Sequence, residues 1–328
     1  MKKTIAIVAG GDSSEHDVSM RSAEGILSFM DKEKYDCYVV EMEGEDWKAH
    51  YGDERCEMDK NDFSFTAKDG RHKFDFAYIT IHGTPGENGI LQGYFDIIKM
   101  PYSTSDVLVE SLTFNKFALN NFLRSYPEIH ISDSILLRKG QPAPSDSEII
   151  GRLGLPCFVK PNAGGSSFGV TKVKEEKDLR PAIEKAMNES DEVMVEKIMV
   201  GTEITCGAYK KGKEIVTFPI TEVVTSEEFF DYDAKYNGKV NEITPARLSD
   251  ETSKRVAEMT RHIYTILGCY GIIRIDYILT GEKGNETINM LEINTTPGMT
   301  ATSFIPQQVR AAGLDIKDVL SDIIEGKF

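Results

Sequence analysis

TINMLEINTTPGMT, residues 287–300, combines a strand pattern with an abrupt break. Side chains alternate across a strand, so Glu292 and Asn294 lie on one face while Leu291 and Ile293 lie on the other. A Thr-Thr-Pro-Gly loop follows directly. The stretch predicts a strand that presents a carboxylate and an amide at the mouth of a loop, where either water or a hard cation could satisfy them.

A second strand pattern, IIRIDYIL at residues 272–279, repeats this arrangement with Arg274 and Asp276 on one face. If the two strands pair, Asp276, Glu292 and Asn294 converge. Magnesium prefers hard oxygen ligands and completes its shell with substrate phosphates. A solvated sheet face is the alternative, and spacing alone leaves the two about equal. The double occurrence, with Arg274 beside the acids, favours a metal site.

The composition is that of an ordinary globular protein. The 328 residues, 40% hydrophobic and 28% charged, suffice for two or three domains. A net charge of −15 argues against a nucleic-acid partner but still allows a phosphate ligand in a locally basic cleft. The five cysteines form no CxxC pair and predict reduced thiols. No run approaches the roughly 20 apolar residues of a membrane span. We therefore expect a cytoplasmic protein without a membrane partner.

The order of elements predicts an α/β (α+β) fold whose N-terminal domain contains a parallel sheet. TIAIVAGG runs from a strand into a glycine turn, DVSMRSAEGILSFM has helical spacing, and DCYVVEM and FDFAYITIHG read as strands. The polar residues 52–73 predict a surface hairpin or excursion. Residues 111–126 predict one helix, and residues 249–268 predict another between a Ser/Asp start and a Gly stop.

A glycine- and serine-rich loop, KPNAGGSSFG, occupies residues 160–169. Its glycines let backbone N–H groups approach an anion, Ser166 adds a hydroxyl donor, and Lys160 supplies a positive charge. The spacing is not that of a P-loop. Alone, such a stretch is more often a plain hairpin loop. The predicted magnesium site makes a phosphate-binding role for it more favourable.

Three further segments contain candidate ligand-binding residues. HGTPGENGILQG places His82 at a strand end beside Glu87, although a lone histidine is usually structural. GGDSSEHDVS places Glu15 at a helix start, where it would repel an anion and suit an ammonium group, or simply stabilise the helix. FFDYDAKYNGKV carries Lys235 and Tyr236 in either a mobile lid or a plain surface loop.

Together the motifs resemble those of the D-alanine–D-alanine ligases of the ATP-grasp superfamily. Seven of them occur in the family's order along nearly the whole chain: GGDSSEHDVS, HGTPGENGILQG, FVKPNAGGSSFGVTKV, VEKIMVGTEIT, FDYDAKY, GIIRIDYIL and LEINTTPGMTATSFIP. Two departures are visible, because Asn88 and Asn115 stand where Asp is common. Both lie outside the metal and phosphate groups.

The resemblance implies a three-domain ATP-grasp fold. Residues 1–104 would form an N-terminal α/β domain with the first D-alanine site, residues 105–195 a central ATP-grasp subdomain, and residues 196–328 a C-terminal subdomain with the lid and metal site. ATP with two Mg²⁺ or Mn²⁺ ions would phosphorylate one D-alanine, and the amine of a second would attack the acyl phosphate. The dipeptide would serve peptidoglycan synthesis, and a homodimer is expected.

The resemblance also implies one set of residues for the nucleotide and its metal ions. The cations on the ATP phosphates would be Lys116, Lys160 and, from the lid, Lys235. The contacts to adenine and ribose would be Glu196, Lys197 and Glu203. The metal ligands would be Asp276, Glu292 and Asn294.

A second implied set concerns the two amino acids. Glu15 would pair with the first ammonium group, and His82 would lie beside the first substrate. Arg274 and the backbone N–H of Gly298 would stabilise the tetrahedral oxyanion. Ser303 would bind the second carboxylate. The residues that would bridge to Glu15 and latch the lid are Ser166 and Tyr236.

Three alternatives stay open at this point. The acceptor could be D-lactate or D-serine, although Tyr236 after Lys235 resembles the dipeptide-forming type. The chain could be another ATP-dependent carboxylate–amine ligase, against which the SSEHDVS and TTPGMTATS segments argue. It could also be a non-catalytic ATP-binding relative, but such a copy would be expected to lose part of the set formed by Arg274, Asp276, Glu292 and Asn294.

Overall fold

The computed structural model describes residues 2–165, 169–225 and 240–328. Its strands are β1 (Lys3–Gly10), β2 (Tyr35–Glu43), β3 (Asp46–Tyr51), β4 (Glu54–Asp59), β5 (Ser64–Ala67), β6 (Gly70–His72), β7 (Phe76–Ile79), β8 (His130–Ile131), β9 (Ser134–Arg138), β10 (Cys157–Pro161), β11 (Thr171–Val173), β12 (Glu192–Lys197), β13 (Thr202–Lys211), β14 (Glu214–Thr217), β15 (Thr221–Thr225), β16 (Val240–Ile243), β17 (Ile273–Thr280) and β18 (Thr287–Asn294). Its α-helices are α1 (His16–Phe29), α2 (Ile90–Ile98), α3 (Val107–Phe114), α4 (Lys116–Leu123), α5 (Asp146–Leu153), α6 (Leu179–Met187), α7 (Asp250–Leu267), α8 (Phe304–Ala311) and α9 (Ile316–Glu325).

The first sheet has the strand order β6-β5-β4-β3-β2-β1-β7. β1 pairs in parallel with β2, to which α1 connects it, and with β7, which confirms the predicted parallel α/β unit. The other strands add to it in antiparallel fashion. The excursion predicted at residues 52–73 is therefore part of this sheet. Its apolar residues come two apart, and Met58, Phe63 and Phe65 are buried.

The second sheet has the order β11-β10-β12-β9. β10 pairs in antiparallel fashion with β11, so the glycine-rich loop joins two neighbouring strands as predicted. Helices α5 and α6 contribute Ile149, Leu153 and Ile183 to a buried cluster with Val159 and Val195 of the sheet. The expected domain boundary between residues 195 and 196 falls inside β12, and the division into three domains stays a prediction.

The third sheet has the order β16-β15-β13-β17-β18-β8, with β14 paired to β13. Helix α7 covers it and contributes Val256, Ile263 and Tyr264 to its core. The helix starts and stops as the sequence predicts, because the Ser249 hydroxyl accepts the N–H of Thr252 and Gly268 adopts a left-handed conformation at the end.

The single helix predicted over residues 111–126 is wrong. Two helices, α3 and α4, meet at Asn115, which has an extended backbone. Its side chain accepts the N–H of Ala118 at 2.9 Å and caps α4. The residue also makes a backbone bridge to Ala163 of the glycine-rich loop. This break places Lys116 at the first position of a helix that faces the loop.

Two helices beside the candidate motifs carry no strong sequence signal. Helix α2 begins after Gly89, which is left-handed, and buries Leu91 and Phe95. Helix α8 begins after Ser303 and follows the Thr-Thr-Pro-Gly loop. Within the described ranges, none of the helices is both long enough and apolar enough to traverse a membrane.

Candidate active site

A cleft of about 680 Å³ lies where α1, α4, β17, β18 and the start of α8 approach one another. Its walls contain eight of the residues predicted from the sequence: Glu15, His82, Lys116, Arg274, Glu292, Asn294, Gly298 and Ser303. The fold thus brings the amino-acid set and part of the nucleotide and metal set to one place.

The predicted acidic face is present, since β17 and β18 pair in antiparallel register. Arg274 lies opposite Asn294, and Asp276 lies opposite Glu292. The Arg274 guanidinium donates to both carboxylate oxygens of Asp276, at 2.9 and 2.8 Å. Burial opposes the charge on Arg274, but the Asp276 carboxylate outweighs it and raises the pKa of the guanidinium.

The donor set on this face fits a magnesium or manganese ion. Asp276, Glu292 and Asn294 offer hard oxygen atoms, and the facing register of the two carboxylates brings them to one side of the sheet. Within the described residues, no three His, Cys, Asp or Glu side chains are grouped closely enough to hold a metal by themselves. Magnesium is commonly bound by one or two carboxylates together with substrate phosphates.

Lys116 joins the acidic face to the glycine-rich loop. Its ammonium group donates to the carbonyl of Gly164 at 2.7 Å and lies 4.0 Å from the Glu292 carboxylate. A cation in this position is suited to an anionic ligand that also binds metal at Glu292.

A buried amide holds Lys116 in that position. Asn162, fully buried at the end of β10, accepts the N–H of Phe117 at 2.8 Å and donates to Asn115 at 2.9 Å and to Glu192 at 2.7 Å. The network ties the start of α4 to the second sheet. Sequence reasoning missed Asn162, although its place beside Lys160 and Pro161 in the loop motif was a usable signal.

Lys160 and Glu196 form a buried ion pair on the second sheet, with 2.7 Å between ammonium nitrogen and carboxylate oxygen. The two strands that carry them, β10 and β12, are direct neighbours. Lys197 follows on β12 with an exposed side chain, and Glu203 lies on β13 opposite Ile278. The structure brings Lys160 and Glu196 together. In the part of the chain that the structure describes, the cleft is lined by none of the side chains of Lys160, Glu196, Lys197 and Glu203.

Glu15 and the glycine-rich loop are in close contact. A Cβ atom on Gly165 would come within 2.6 Å of a carboxylate oxygen of Glu15. Gly165 therefore leaves room for the Glu15 carboxylate, for which the family resemblance implies an ammonium partner. Glu15 immediately precedes α1, as predicted.

His82 and Glu87 form the wall next to Glu15. His82 lies three residues beyond the end of β7, is only 5% exposed, and its Nε2 has no hydrogen-bond partner among the described residues. Burial lowers the pKa of its imidazole. Burial also raises the pKa of the Glu87 carboxyl to about 7, although the Gly83 N–H donates to it at 2.6 Å. A neutral imidazole with a free nitrogen can hydrogen-bond a ligand in the cleft.

The loop after β18 is fastened on both sides. Thr296 donates its hydroxyl to the carbonyl of Ile81 at 3.3 Å, and the Met299 N–H donates to the Ser22 hydroxyl at 3.3 Å. A Cβ atom on Gly298 would lie 3.0 Å from the Ser303 hydroxyl oxygen. The backbone of Gly298 and the side chain of Ser303 are therefore neighbours at the cleft wall.

Two protein-family models match this chain. The family model described as D-ala D-ala ligase N-terminus matches residues 4–105, and the model described as D-ala D-ala ligase C-terminus matches residues 128–325. The chain belongs to the D-alanine–D-alanine ligase family. The family predicted from the seven motifs is confirmed.

Two bacterial members of this family match along their full length. A protein of Phocaeicola vulgatus named D-alanine--D-alanine ligase is 64% identical over 330 residues, which cover 100% of both chains. A protein of the same name from Bacteroides fragilis is 62% identical over 330 residues, again covering 100% of both.

Solved structures of the ligase family share the fold. The D-Ala:D-Ser ligase VanG from Enterococcus faecalis superposes with a TM-score of 0.87 at 30% identity, covering 100% of both chains. The D-alanine--D-alanine ligase of Bacillus anthracis complexed with ATP has a TM-score of 0.78 at 30% identity, covering 99% of this chain and 97% of that one. The predicted α/β ATP-grasp fold is confirmed.

Some predicted residues of this ligase-family site lie outside the described residues: Ser166, Lys235 and Tyr236. Other cleft residues were missed from the sequence. Glu242 on β16 lines the cleft and accepts a hydrogen bond from Gln307 at 2.6 Å. Arg21 on α1 also lines it. The sequence around Glu242 is typical of a strand, and the sequence around Arg21 is typical of a helix. Neither pattern indicates a binding site, because the cleft forms only when distant elements pack together.

Proposed function

We propose that this chain joins two D-alanine molecules into D-alanyl-D-alanine and converts ATP to ADP and phosphate. The observation that supports this most is the register of β17 and β18, which sets Arg274, Asp276, Glu292 and Asn294 on one face beside Gly298. That face combines hard oxygen ligands for a metal–nucleotide complex with donors for an oxyanion. The dipeptide would supply peptidoglycan synthesis.

The nucleotide half of the proposal assigns Lys116 and Lys160 to the ATP phosphates. Glu196, Lys197 and Glu203 would contact adenine and ribose. Two Mg²⁺ or Mn²⁺ ions held by Asp276, Glu292 and Asn294 would neutralise phosphate charge. The Lys116 ammonium, next to both Gly164 and Glu292, is suited to orient the γ-phosphoryl group.

The amino-acid half concerns Glu15 and the residues around the Gly298 loop. Glu15 would bind the ammonium group of the first D-alanine, with His82 beside it. The first carboxylate would attack the γ-phosphoryl group, and the second amine would attack the acyl phosphate. Arg274 and the Gly298 N–H would stabilise the resulting oxyanion; one such donor contributes about 2.7–4 kcal/mol in known cases. Ser303 would bind the second carboxylate.

The remaining assignments follow the family resemblance. Lys235 would reach the γ-phosphate, and Ser166 and Tyr236 would bridge to Glu15. The three-domain division, a homodimer and a cytoplasmic location belong to the same proposal.

The choice of acceptor rests on the relatives. Eight full-length relatives at 51–64% identity carry the name D-alanine--D-alanine ligase, whereas the D-Ala:D-Ser ligase is 30% identical. We therefore propose D-alanine as the acceptor. A non-catalytic relative is disfavoured because all four residues of the acidic face are present in register.

The test is phosphate release from ATP with magnesium and D-alanine alone, then with added D-serine or D-lactate, with products identified by mass. Dipeptide from D-alanine alone is the expected result. Release that requires D-serine or D-lactate would move the chain to a different acceptor class. If the protein binds ATP but releases no phosphate under any of these conditions, the proposed catalytic activity is wrong.

A further inference from the structure

The cleft presents an electrostatic problem for its second substrate. The Glu15 and Glu292 carboxylates line it, and the chain carries a net charge of −15. Glu87 and Glu242 line it as well, but burial raises the pKa of both carboxyl groups, so they add less negative charge. An acceptor D-alanine must bring its own carboxylate into this surrounding. Ser303 offers only a neutral hydroxyl group. A cation in the cleft wall would offset the repulsion between the acceptor carboxylate and the glutamates.

Arg21 lines the same cleft as Ser303. Val18 and Arg21 are three residues apart on α1, share one helix face and both line the cleft, as do Thr300 and Ser303. The placement follows from the way in which α1 packs against the loop after β18.

Two contacts fix this packing. The Ser22 hydroxyl accepts the N–H of Met299 at 3.3 Å. A Cβ atom on Gly25 would lie 2.3 Å from the Met299 carbonyl oxygen, so the helix approaches the loop as closely as a glycine allows. The backbone of Arg21, which lies between these positions and Val18, therefore has a fixed place relative to the loop that carries Gly298 and leads to Ser303.

Arg21 also differs from the other cations of the cleft wall. Arg274 is committed to Asp276, and Lys116 lies between Gly164 and Glu292. Arg21 is exposed, and among the described residues its guanidinium has no ion-pair or hydrogen-bond partner. A guanidinium offers a planar pair of donors that matches a carboxylate.

We propose that Arg21 binds the carboxylate of the acceptor D-alanine together with Ser303, and so selects acceptors with a free carboxylate. The inference rests on the proposed ligase function and adds a specificity-determining residue to it. Arg21 would contact the acceptor away from the reacting amine, so it would affect acceptor binding more than the chemical step.

The test compares two acceptors in the full-length protein. D-alanine carries a carboxylate, whereas D-alaninamide has the same amine without that charge and cannot itself be phosphorylated. With limiting D-alanine as donor, mass spectrometry separates the dipeptide from the dipeptide amide. The variants are Arg21→Gln and Arg21→Lys. The matched control is Arg55→Gln, on β4 with an exposed side chain.

The expected result for Arg21→Gln is a KM for acceptor D-alanine about three- to tenfold higher, in the range of a partly exposed charge-assisted contact. The KM for ATP and the use of D-alaninamide stay near wild type, so the preference for D-alanine falls by the same factor. Arg21→Lys keeps most of the preference, and Arg55→Gln keeps all of it.

Two results would overturn the role of Arg21. Arg21→Gln could retain the wild-type preference, which would make Arg21 an ordinary solvated surface residue. It could also lose both acceptors equally, which would point to a structural role. If wild-type protein forms no dipeptide, the proposed function fails instead, and this outcome is distinct because it appears before any variant is compared.

Discussion

The carboxyl group of Glu110 and the hydroxyl group of Thr295 are hydrogen-bonded in the interior, although the residues are 185 positions apart. Glu110, on α3, is fully buried, and its other oxygen accepts the N–H of Ser105 at 3.0 Å. Thr295 directly follows Asn294 at the end of β18. A buried acid thus fixes the start of the loop that leads from the acidic face to Gly298.

We predict that Glu110→Gln makes the protein less sensitive to rising pH. Burial raises the pKa of Glu110 well above its ordinary value of 4.5, so the native state keeps a proton that the unfolded state releases. Native stability therefore falls as pH rises above 4.5, by at most ~1.4 kcal/mol for each pH unit up to the folded pKa. Glutamine cannot ionise. Its amide oxygen can accept the Ser105 N–H, and its amide NH₂ can donate to the Thr295 hydroxyl, which reverses the direction of that bond.

The measurement is thermal unfolding of both proteins between pH 5 and 8. The melting temperature of the variant should rise relative to wild type as pH increases. A difference that stays constant with pH would show that Glu110 is ionised in the native state.

Glu292→Gln should remove a metal ligand. We expect kcat/KM at limiting magnesium to fall by at least about tenfold, because an amide binds hard cations more weakly than a carboxylate. Binding of Mn²⁺ with a non-hydrolysable ATP analogue, followed by paramagnetic resonance, should weaken in parallel. Glu251→Gln, in the exposed first turn of α7, is the control. Unaltered Mn²⁺ binding would rule out Glu292 as a ligand.

Gly165→Ala should damage the first amino-acid site. The added methyl group would lie within 2.6 Å of a Glu15 carboxylate oxygen, so this carboxylate must move. We expect the KM for the first D-alanine to rise several-fold while the KM for ATP changes little. Gly151→Ala, where a Cβ atom meets nothing within 4 Å, is the matched control. Equal kinetics for both variants would mean that Glu15 does not depend on this space.

Tyr236→Phe tests the choice of acceptor. If the Tyr236 hydroxyl helps to hold Glu15 and the lid, its removal should increase the use of D-lactate relative to D-alanine at neutral pH. The ratio of depsipeptide to dipeptide, measured by mass in a mixture of both acceptors, reports this directly. A ratio identical to that of wild type would count against a role in specificity.

The strands and their faces were predictable where side chains alternate strictly. IIRIDYIL and LEIN each have a period of two, so the convergence of Asp276, Glu292 and Asn294 was available from the sequence. The period breaks at Leu291, where the pairing with β17 shifts register between Asp276 and Tyr277, and this shift was not predicted from the sequence. The bidentate pairing of Arg274 with Asp276 was not available from the sequence either, because it depends on side-chain direction within the sheet.

The failures have a common physical origin in long-range contacts. Residues 111–126 have helical character on both sides of Asn115. Its side chain caps α4, and its contacts with Asn162 and Ala163 hold the break in place. Likewise nothing in the sequence around Glu110 indicates a partner as distant as Thr295. The local sequence pattern indicates which face of a helix or strand is buried. It does not indicate which distant element packs against that face.

The most direct test of the central claim uses D-alanine labelled with ¹⁸O in its carboxyl group, with ATP and magnesium. If the first carboxylate attacks the γ-phosphoryl group and the second amine then displaces phosphate at carbon, one labelled oxygen leaves with the phosphate. We predict that the released phosphate carries one ¹⁸O atom per D-alanyl-D-alanine formed. Phosphate released without label, or without formation of the dipeptide, would contradict a reaction through D-alanyl phosphate.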